Sequence, residues 1–214
     1  MSADLNYVES DAIVARGRTL YPGELACYSS HYAVWKRALQ EDADQVLVLE
    51  DDVAVDWGFV RLMIDNNLAC SGINYLKLFN KNMTPFKVLT DNFHQRSLID
   101  CRGFAYGMQA YMLTRVGVEC FMTICKTIRR PIDDEMDRSW AHGIPTLCVF
   151  PFPAYERYGQ STLGKDRYER RPVPTRFLLR RTAMRATEKF LRLSQRMTGY
   201  GQINSLSLQG DVVV

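Results

Sequence analysis

The chain carries two carboxylate clusters whose composition and placement suit chemistry. Glu50-Asp51-Asp52 follows the apolar run Gln45–Leu49, and Asp133-Asp134 follows Pro131. Three consecutive carboxylates repel one another, and a partly buried set without a counter-charge is unfavourable, so a divalent cation resolves the conflict. Mn²⁺ and Mg²⁺ take oxygen ligands and are held by one or two carboxylates together with substrate phosphates. In an extended segment side chains alternate, which puts Glu50 and Asp52 on one face and Asp51 on the other. Asp52 is therefore read as the direct ligand with Glu50 supporting it, and Asp51 belongs to the same acidic set. Taken alone, the triplet also reads as a solvated acidic turn.

The second cluster sits where a helix begins, and the positive end of a helix dipole favours an ionised carboxylate, the form a general base needs. Asp133 is the preferred base, Asp134 its neighbouring alternative, and Asp137 stands behind both. Helix capping accounts for the same residues without chemistry. Glu24, Cys27 and His31 are spaced three and four apart and so share a helix face. Glu24 and His31 can orient donor or loop groups, or can simply bond to each other inside the fold. Gln109 and Tyr111 are candidates to meet a sugar, and Gly107 permits close backbone approach. Tyr106 and Ser161 are weaker candidates. Lys77 reads as a solvated strand lysine, and His94 and His142 read as surface residues without ligand spacing.

These residues need elements to hold them. Pro22 and Glu24 mark a helix entry, and Leu25, Tyr28, Tyr32, Trp35 and Leu39 then recur at helical spacing over about five turns. Gln45–Leu49 is apolar throughout and reads as an interior strand covered on both faces. A helix is expected around residues 57–68, a strand at Asn74–Phe79, and a long functional loop over residues 80–103. Phe104–Leu113 reads as a strand interrupted at Gly107, and Thr114 as the cap of a helix from Arg115 towards Thr127. A short helix over Asp133–His142 and a strand over Thr146–Phe150 follow. Met1–Arg18 shows no clear period, although Ser10-Asp11 can cap a short helix through Arg16. Strands alternating with helices give an α/β sandwich with a buried sheet.

The 214 residues, 47% hydrophobic, suffice for one sizeable core. Six scattered cysteines form no CxxC pair and read as reduced, buried thiols in a cytoplasmic protein, with no metal site among them. Apolar runs fall far short of the ~20 residues of a membrane-spanning helix. The net charge of +3 is uneven. Residues 165–197 hold eleven Lys/Arg and three Asp/Glu, so +8 there leaves −5 elsewhere. In this tail Leu179, Ala183, Ala186, Phe190, Leu193 and Met197 recur at alternating spacing as a narrow apolar stripe. Residues 175–197 therefore read as a basic amphipathic helix suited to an anionic membrane surface; docking within the chain and a coiled-coil dimer are the alternatives.

Five segments, taken in order, carry a resemblance: PGELACYSSHYAVW at 22–35, VLVLEDDV at 46–53, GMQAYMLTRVGVECF at 107–121, PIDDEMD at 131–137 and FPAYERYGQSTL at 152–163. Together they resemble glycosyltransferase family 25, which includes lipooligosaccharide and procollagen galactosyltransferases. The resemblance implies a GT-A-like nucleotide-diphospho-sugar transferase fold with a mixed sheet between helices over residues 1–164. Residues 165–214 then form the basic helix and tail.

It further implies a UDP-galactose donor, Mn²⁺ or Mg²⁺, inversion at the anomeric carbon and an envelope glycan or glycolipid acceptor such as lipooligosaccharide. The metal would sit at Glu50, Asp51 and Asp52, and the base in the Pro-x-Asp segment. Such an enzyme would be peripheral at the inner face of the cytoplasmic membrane, and no nucleic-acid partner is implied. The family's usual opening strand, with an Asn-Leu-Asp-Arg-like motif, has no counterpart in the residues before Pro22, and a fold without it exposes a sheet edge. A non-catalytic remnant that binds a partner is therefore the first alternative. A metal-dependent phosphohydrolase is the second, and it lacks an activated nucleophile.

Overall fold

A computed structural model describes residues 4–157 and 173–198. The boundary expected at residues 164 and 165, and Ser161, lie outside the described residues. Within them the chain is a mixed α/β structure built on a six-stranded mixed sheet. The N-terminal segment, whose sequence shows no period, forms β1 (Asn6–Tyr7) and α1 (Glu9–Arg16). β1 is tied by parallel pairing to the short β8 (Thr127–Ile128), a non-local contact that periodicity does not reveal. α1 ends at Gly17, whose φ of 85° is the left-handed conformation that glycine adopts without penalty.

α2 runs over Pro22–Gln40 and begins at the expected proline. Its predicted stripe faces inward, with Tyr28, Tyr32 and Trp35 buried. Trp35 stacks on Phe121 with ring centroids 5.9 Å apart. Phe121 belongs to α4 (Arg115–Ile124), which is capped as expected by Thr114 accepting from the Gly117 N–H.

The sheet order is β2 (Gln45–Leu49), β7 (Ala110–Thr114), β4 (Tyr75–Lys77), β9 (Leu147–Phe150), β6 (Arg96–Cys101), β5 (Phe86–Phe93). Only β4 and β9 pair in parallel within it. Alternation along β7 shows the two faces. Tyr111 and Leu113 join the core under α2 and α4, whereas Ala110 and Met112 join the core with Phe59, Val60 and Met63 of α3 (Trp57–Asp65). A second, two-stranded ladder pairs β3 (Val53–Val55) with β10 (Ala154–Glu156).

Several expectations need correction. β2 is not interior: among the described residues it pairs with β7 alone. Its continuous apolar run reflects coverage of both faces, since Val46 and Val48 enter one core and Leu47 and Leu49 the other. Hydropathy reports covered faces and is blind to a missing neighbour along the hydrogen-bonding direction. Residues 80–103 are not a long loop but mostly the β5–β6 hairpin, which turns through His94 and Gln95 at φ 50° and 64°. A two-residue turn with both φ positive normally carries Asn-Gly, so His-Gln gives no signal.

The strand expected from Phe104 starts only at Ala110, because Tyr106 and Gly107 take φ of 52° and 81° and lead the chain out of extended geometry. The expected helix at Asp133–His142 is two short ones, α5 (Ile132–Met136) and α6 (Ser139–His142). The last described element is α7 (Thr175–Thr198), which packs on α1 and α6. Among the described residues no helix is long and apolar enough to cross a membrane.

Candidate active site

A cavity of about 390 Å³ opens where the start of α2, the end of β2, the 104–109 loop and the start of α5 converge. Ligands in open α/β sheets bind beyond strand ends, and this cavity lies at one. Its walls carry the carboxylates Glu24, Glu50 and Asp133 and the cations Arg16, Arg18 and Lys81. Gly107 and Gln109 complete the far side. One carboxylate of each acidic segment, Glu50 and Asp133, thus lines this space, whereas Asp51, Asp52 and Asp134 are not among its lining residues.

Glu24 has its own work there. Its carboxylate takes a two-pronged bond from Arg18, at 2.7 and 2.8 Å, and accepts the Tyr21 N–H at 2.9 Å at the start of α2. Burial works against the charge, but these bonds hold its pKa below the usual range. The expected Glu24–His31 partnership is replaced by one between His31 and Glu50, 3.3 Å from His31 Nε2 to the carboxylate.

His31 Nδ1 lies 2.8 Å from the Tyr111 hydroxyl, which also accepts Trp35 Nε1–H at 2.9 Å. Trp35 can only donate, so the buried Tyr111 proton is satisfied by donation to His31 Nδ1. The remaining ring proton then sits on Nε2 and points at Glu50. Tyr111 is consequently corrected from a sugar contact to a core residue. It is fully buried, and its hydroxyl fixes a histidine that in turn fixes a cavity carboxylate.

Asp51 is exposed and Asp52 partly covered. Asp52 Oδ1 is buried with no hydrogen-bond partner among the described residues. Burial, followed by the charges of Glu50, Glu156 and Asp51, pushes the Asp52 pKa up. A carboxylate with an orphaned oxygen among other carboxylates is a place a hard cation fits. Cys27 Sγ, a His31 ring nitrogen and a Glu50 oxygen also come within 4.8 Å of one another, a set that sequence spacing does not reveal. Two features oppose a soft metal there. The His31 nitrogen facing Glu50 already carries a proton, and burial with Glu50, Asp133 and Glu24 pushes the Cys27 thiol up to about 12.

At α5 the neighbours separate. Asp133 lines the cavity. Asp134 is buried away from it and pairs with Arg16 at 2.9 Å. Burial is the largest influence on both and raises both; Asp137 adds to the rise at Asp133. The expected lowering by a helix start loses to desolvation, since α5 spans only five residues.

Asp137 is neither a base nor exposed. It forms an ion pair with Lys77 at 3.1 Å, and both side chains are fully buried. Lys77 Nζ also donates to Tyr106 O at 2.7 Å, while Asp137 accepts Tyr106 N–H at 2.7 Å. Lys77 is thereby corrected from a solvated lysine to half of a buried clamp on the loop that walls the cavity. In that loop a Cβ on Gly107 would come within 3.0 Å of Lys81 N, Phe79 and Gln109 Oε1, so only glycine fits. Gln109 Oε1 is buried and has no hydrogen-bond partner among the described residues.

His142 is likewise not a free surface residue. Its Nε2 donates to Met136 O and its Nδ1 accepts from Ile144 N–H, and burial lowers its pKa to about 4. Sequence reading also missed Arg16, Arg18 and Lys81. The Arg16-Gly17-Arg18 pair, basic within an acidic body and just ahead of the α2 entry, was the available signal.

Residues 6–136 match the sequence model of glycosyltransferase family 25 (LPS biosynthesis protein). The human inactive glycosyltransferase 25 family member 3 is 30% identical over 124 residues, 55% of this chain and 20% of that protein. The probable inactive member 3 of Bos taurus is 44% identical over 130 residues, again 55% and 20%. Human procollagen galactosyltransferase 2 is 38% identical over 47 residues, 22% of this chain and 8% of that protein. The chain thus spans at most about a fifth of these curated relatives.

Proposed function

Because the chain belongs to glycosyltransferase family 25, we propose that it transfers a hexose, galactose by preference, from a UDP-sugar to a hydroxyl of an envelope glycan such as lipooligosaccharide. The fold is read as GT-A-like. The observation that carries the reading is the cavity itself, which joins Glu50 at the end of β2 to Asp133 at the start of α5 between three basic side chains. Asp52 and Glu50 would hold Mn²⁺ or Mg²⁺. When bound, that ion supplies charge neutralisation for the departing diphosphate.

The chain's own groups do the rest. Arg16, Arg18 and Lys81 offer positive charge to phosphate oxygens. Gly107 allows Lys81, Phe79 and Gln109 to pack closely behind the cavity wall, and Gln109 Oε1 is an acceptor without a partner among the described residues. Asp133 takes the proton of the acceptor hydroxyl as the new glycosidic bond forms and the bond to UDP breaks, a single displacement that inverts the anomeric carbon. A raised pKa suits that task, because a base works best near the operating pH. His31 is a positioning residue that holds Glu50 through Nε2–H.

Asp133→Asn should retain UDP binding yet lower transfer from UDP-galactose to lipooligosaccharide by about 10²–10⁴-fold. Asp134→Asn should cause the smaller loss, because its carboxylate is turned to Arg16. Measured UDP release for the two variants tests this; the reverse order of effects would move the base to Asp134.

A further inference from the structure

α7 meets the body along a polar seam. Arg181 donates to the carbonyls of Val14 and Ala15, at 2.8 and 3.0 Å, and so closes the C-terminal end of α1. Glu188 is buried and accepts from Arg138 and from Trp140 Nε1. Arg192 lies over the Phe104 and Trp140 rings, and Gln195 accepts from Ser139. These seam residues recur at helical spacing on one face.

The apolar stripe points the other way. Leu179, Phe190, Leu193 and Met197 are 84%, 70%, 46% and 88% exposed. Each stands two positions from a seam residue, about 200° around the helix. Docking therefore consumes the polar side and leaves the apolar side to solvent, the reverse of what burial of apolar surface favours in a soluble helix. Arg176 borders the stripe on one flank and Lys189 on the other.

We propose that this outward face of α7 lies on an anionic lipid surface, with the apolar stripe in the headgroup boundary and Arg176 and Lys189 on lipid phosphates. Charge selects the occupant. α7 holds seven Lys/Arg and one acid, Glu188, which is already used in the seam. Two copies packed stripe to stripe would therefore set like charges against each other, whereas an anionic surface complements them. The same helix braces the cavity. Arg181 closes α1, whose last residue Arg16 lines the cavity, and Arg192 covers Phe104, which stacks on the cavity residue Tyr106. A lipid-bound α7 keeps those walls beside the surface.

The test is co-sedimentation of the full chain with phosphatidylcholine vesicles, with and without phosphatidylglycerol, at low and high salt and with no sugar nucleotide present. Lipid binding is thus read separately from transfer. Binding should require phosphatidylglycerol and weaken with salt. It should fall about fivefold for each of Arg176→Gln and Lys189→Gln at low salt. It should be lost in Leu179→Glu/Phe190→Glu, with an unchanged melting temperature. Four results would overturn the proposal: equal binding to neutral vesicles; binding that survives the double glutamate variant; a concentration-dependent dimer abolished by that variant; or a lowered melting temperature in it, which would mean the stripe is covered within the chain.

Discussion

The two acidic segments use the same residue type for opposite ends. At the end of β2, Glu50 borders the cavity, Asp51 is exposed, and the Asp52 pKa is pushed up by burial and neighbouring carboxylates. The nearest partner of Glu50 is the His31 ring, 3.3 Å from Nε2 to the carboxylate. At α5 and just beyond, Asp134 faces Arg16, Asp137 faces Lys77, and Glu135 faces Arg130 and Arg138. Among the described residues the first set has only His31 beside it, whereas each of these three carboxylates faces a basic side chain. Burial still raises the Asp134 pKa and leaves its Oδ1 without a partner among the described residues, and Asp133 turns to the cavity. An acidic run that the fold pairs with buried cations acts as a clamp, as Asp137 does with Lys77; one without such partners is open to the ligand role proposed above.

The contrast breaks most visibly at Lys77. Lys77→Met leaves Asp137 buried without its partner and frees Tyr106, so unfolding in denaturant should show a loss of about 3–5 kcal/mol. Lys77→Met/Asp137→Leu should recover most of it, because replacing both members removes the unpaired charge. A loss near zero for the single variant would mean that the segment is no more locked than the acidic triplet.

A smaller effect sharpens the same point at His142, whose Nε2 holds the Met136 carbonyl beside Asp137. Its pKa in the fold is about 4, below the ~6.5 of an unfolded histidine. The unfolded chain therefore binds the extra proton first. The stability this residue contributes is complete above about pH 6.5 and is lost as pH falls towards 4. Melting temperatures across that window should fall more steeply in the parent protein than in His142→Gln. Parallel curves would contradict a His142 whose pKa is lowered by its partial burial.

Much of this was legible in the sequence, and the failures share a cause. The α2 stripe, the Thr114 cap and the β9 run all follow from local period or residue type. Lys77 did not, because its burial depends on Asp137 and on the Tyr106 backbone, contacts that join distant segments. Tyr111 alternates correctly in its strand, yet nothing local says that its hydroxyl meets Trp35 and His31. The β5–β6 turn was hidden by His94-Gln95, and the edge position of β2 by side chains covered on both faces. Where the competing interaction was non-local, residue type alone misassigned it.

Among the described residues no Lys or Arg pairs with Glu50, Asp51 or Asp52, and the proposed function has a divalent cation, bound together with an anionic nucleotide diphosphate, supply that charge. Calorimetric titration of UDP into the full chain, with and without Mn²⁺, tests this most directly when repeated on Asp52→Asn and Asp133→Asn. Binding should require Mn²⁺, be abolished in Asp52→Asn and persist in Asp133→Asn. Undiminished Mn²⁺-dependent binding by Asp52→Asn, or UDP binding indifferent to the ion, would contradict it.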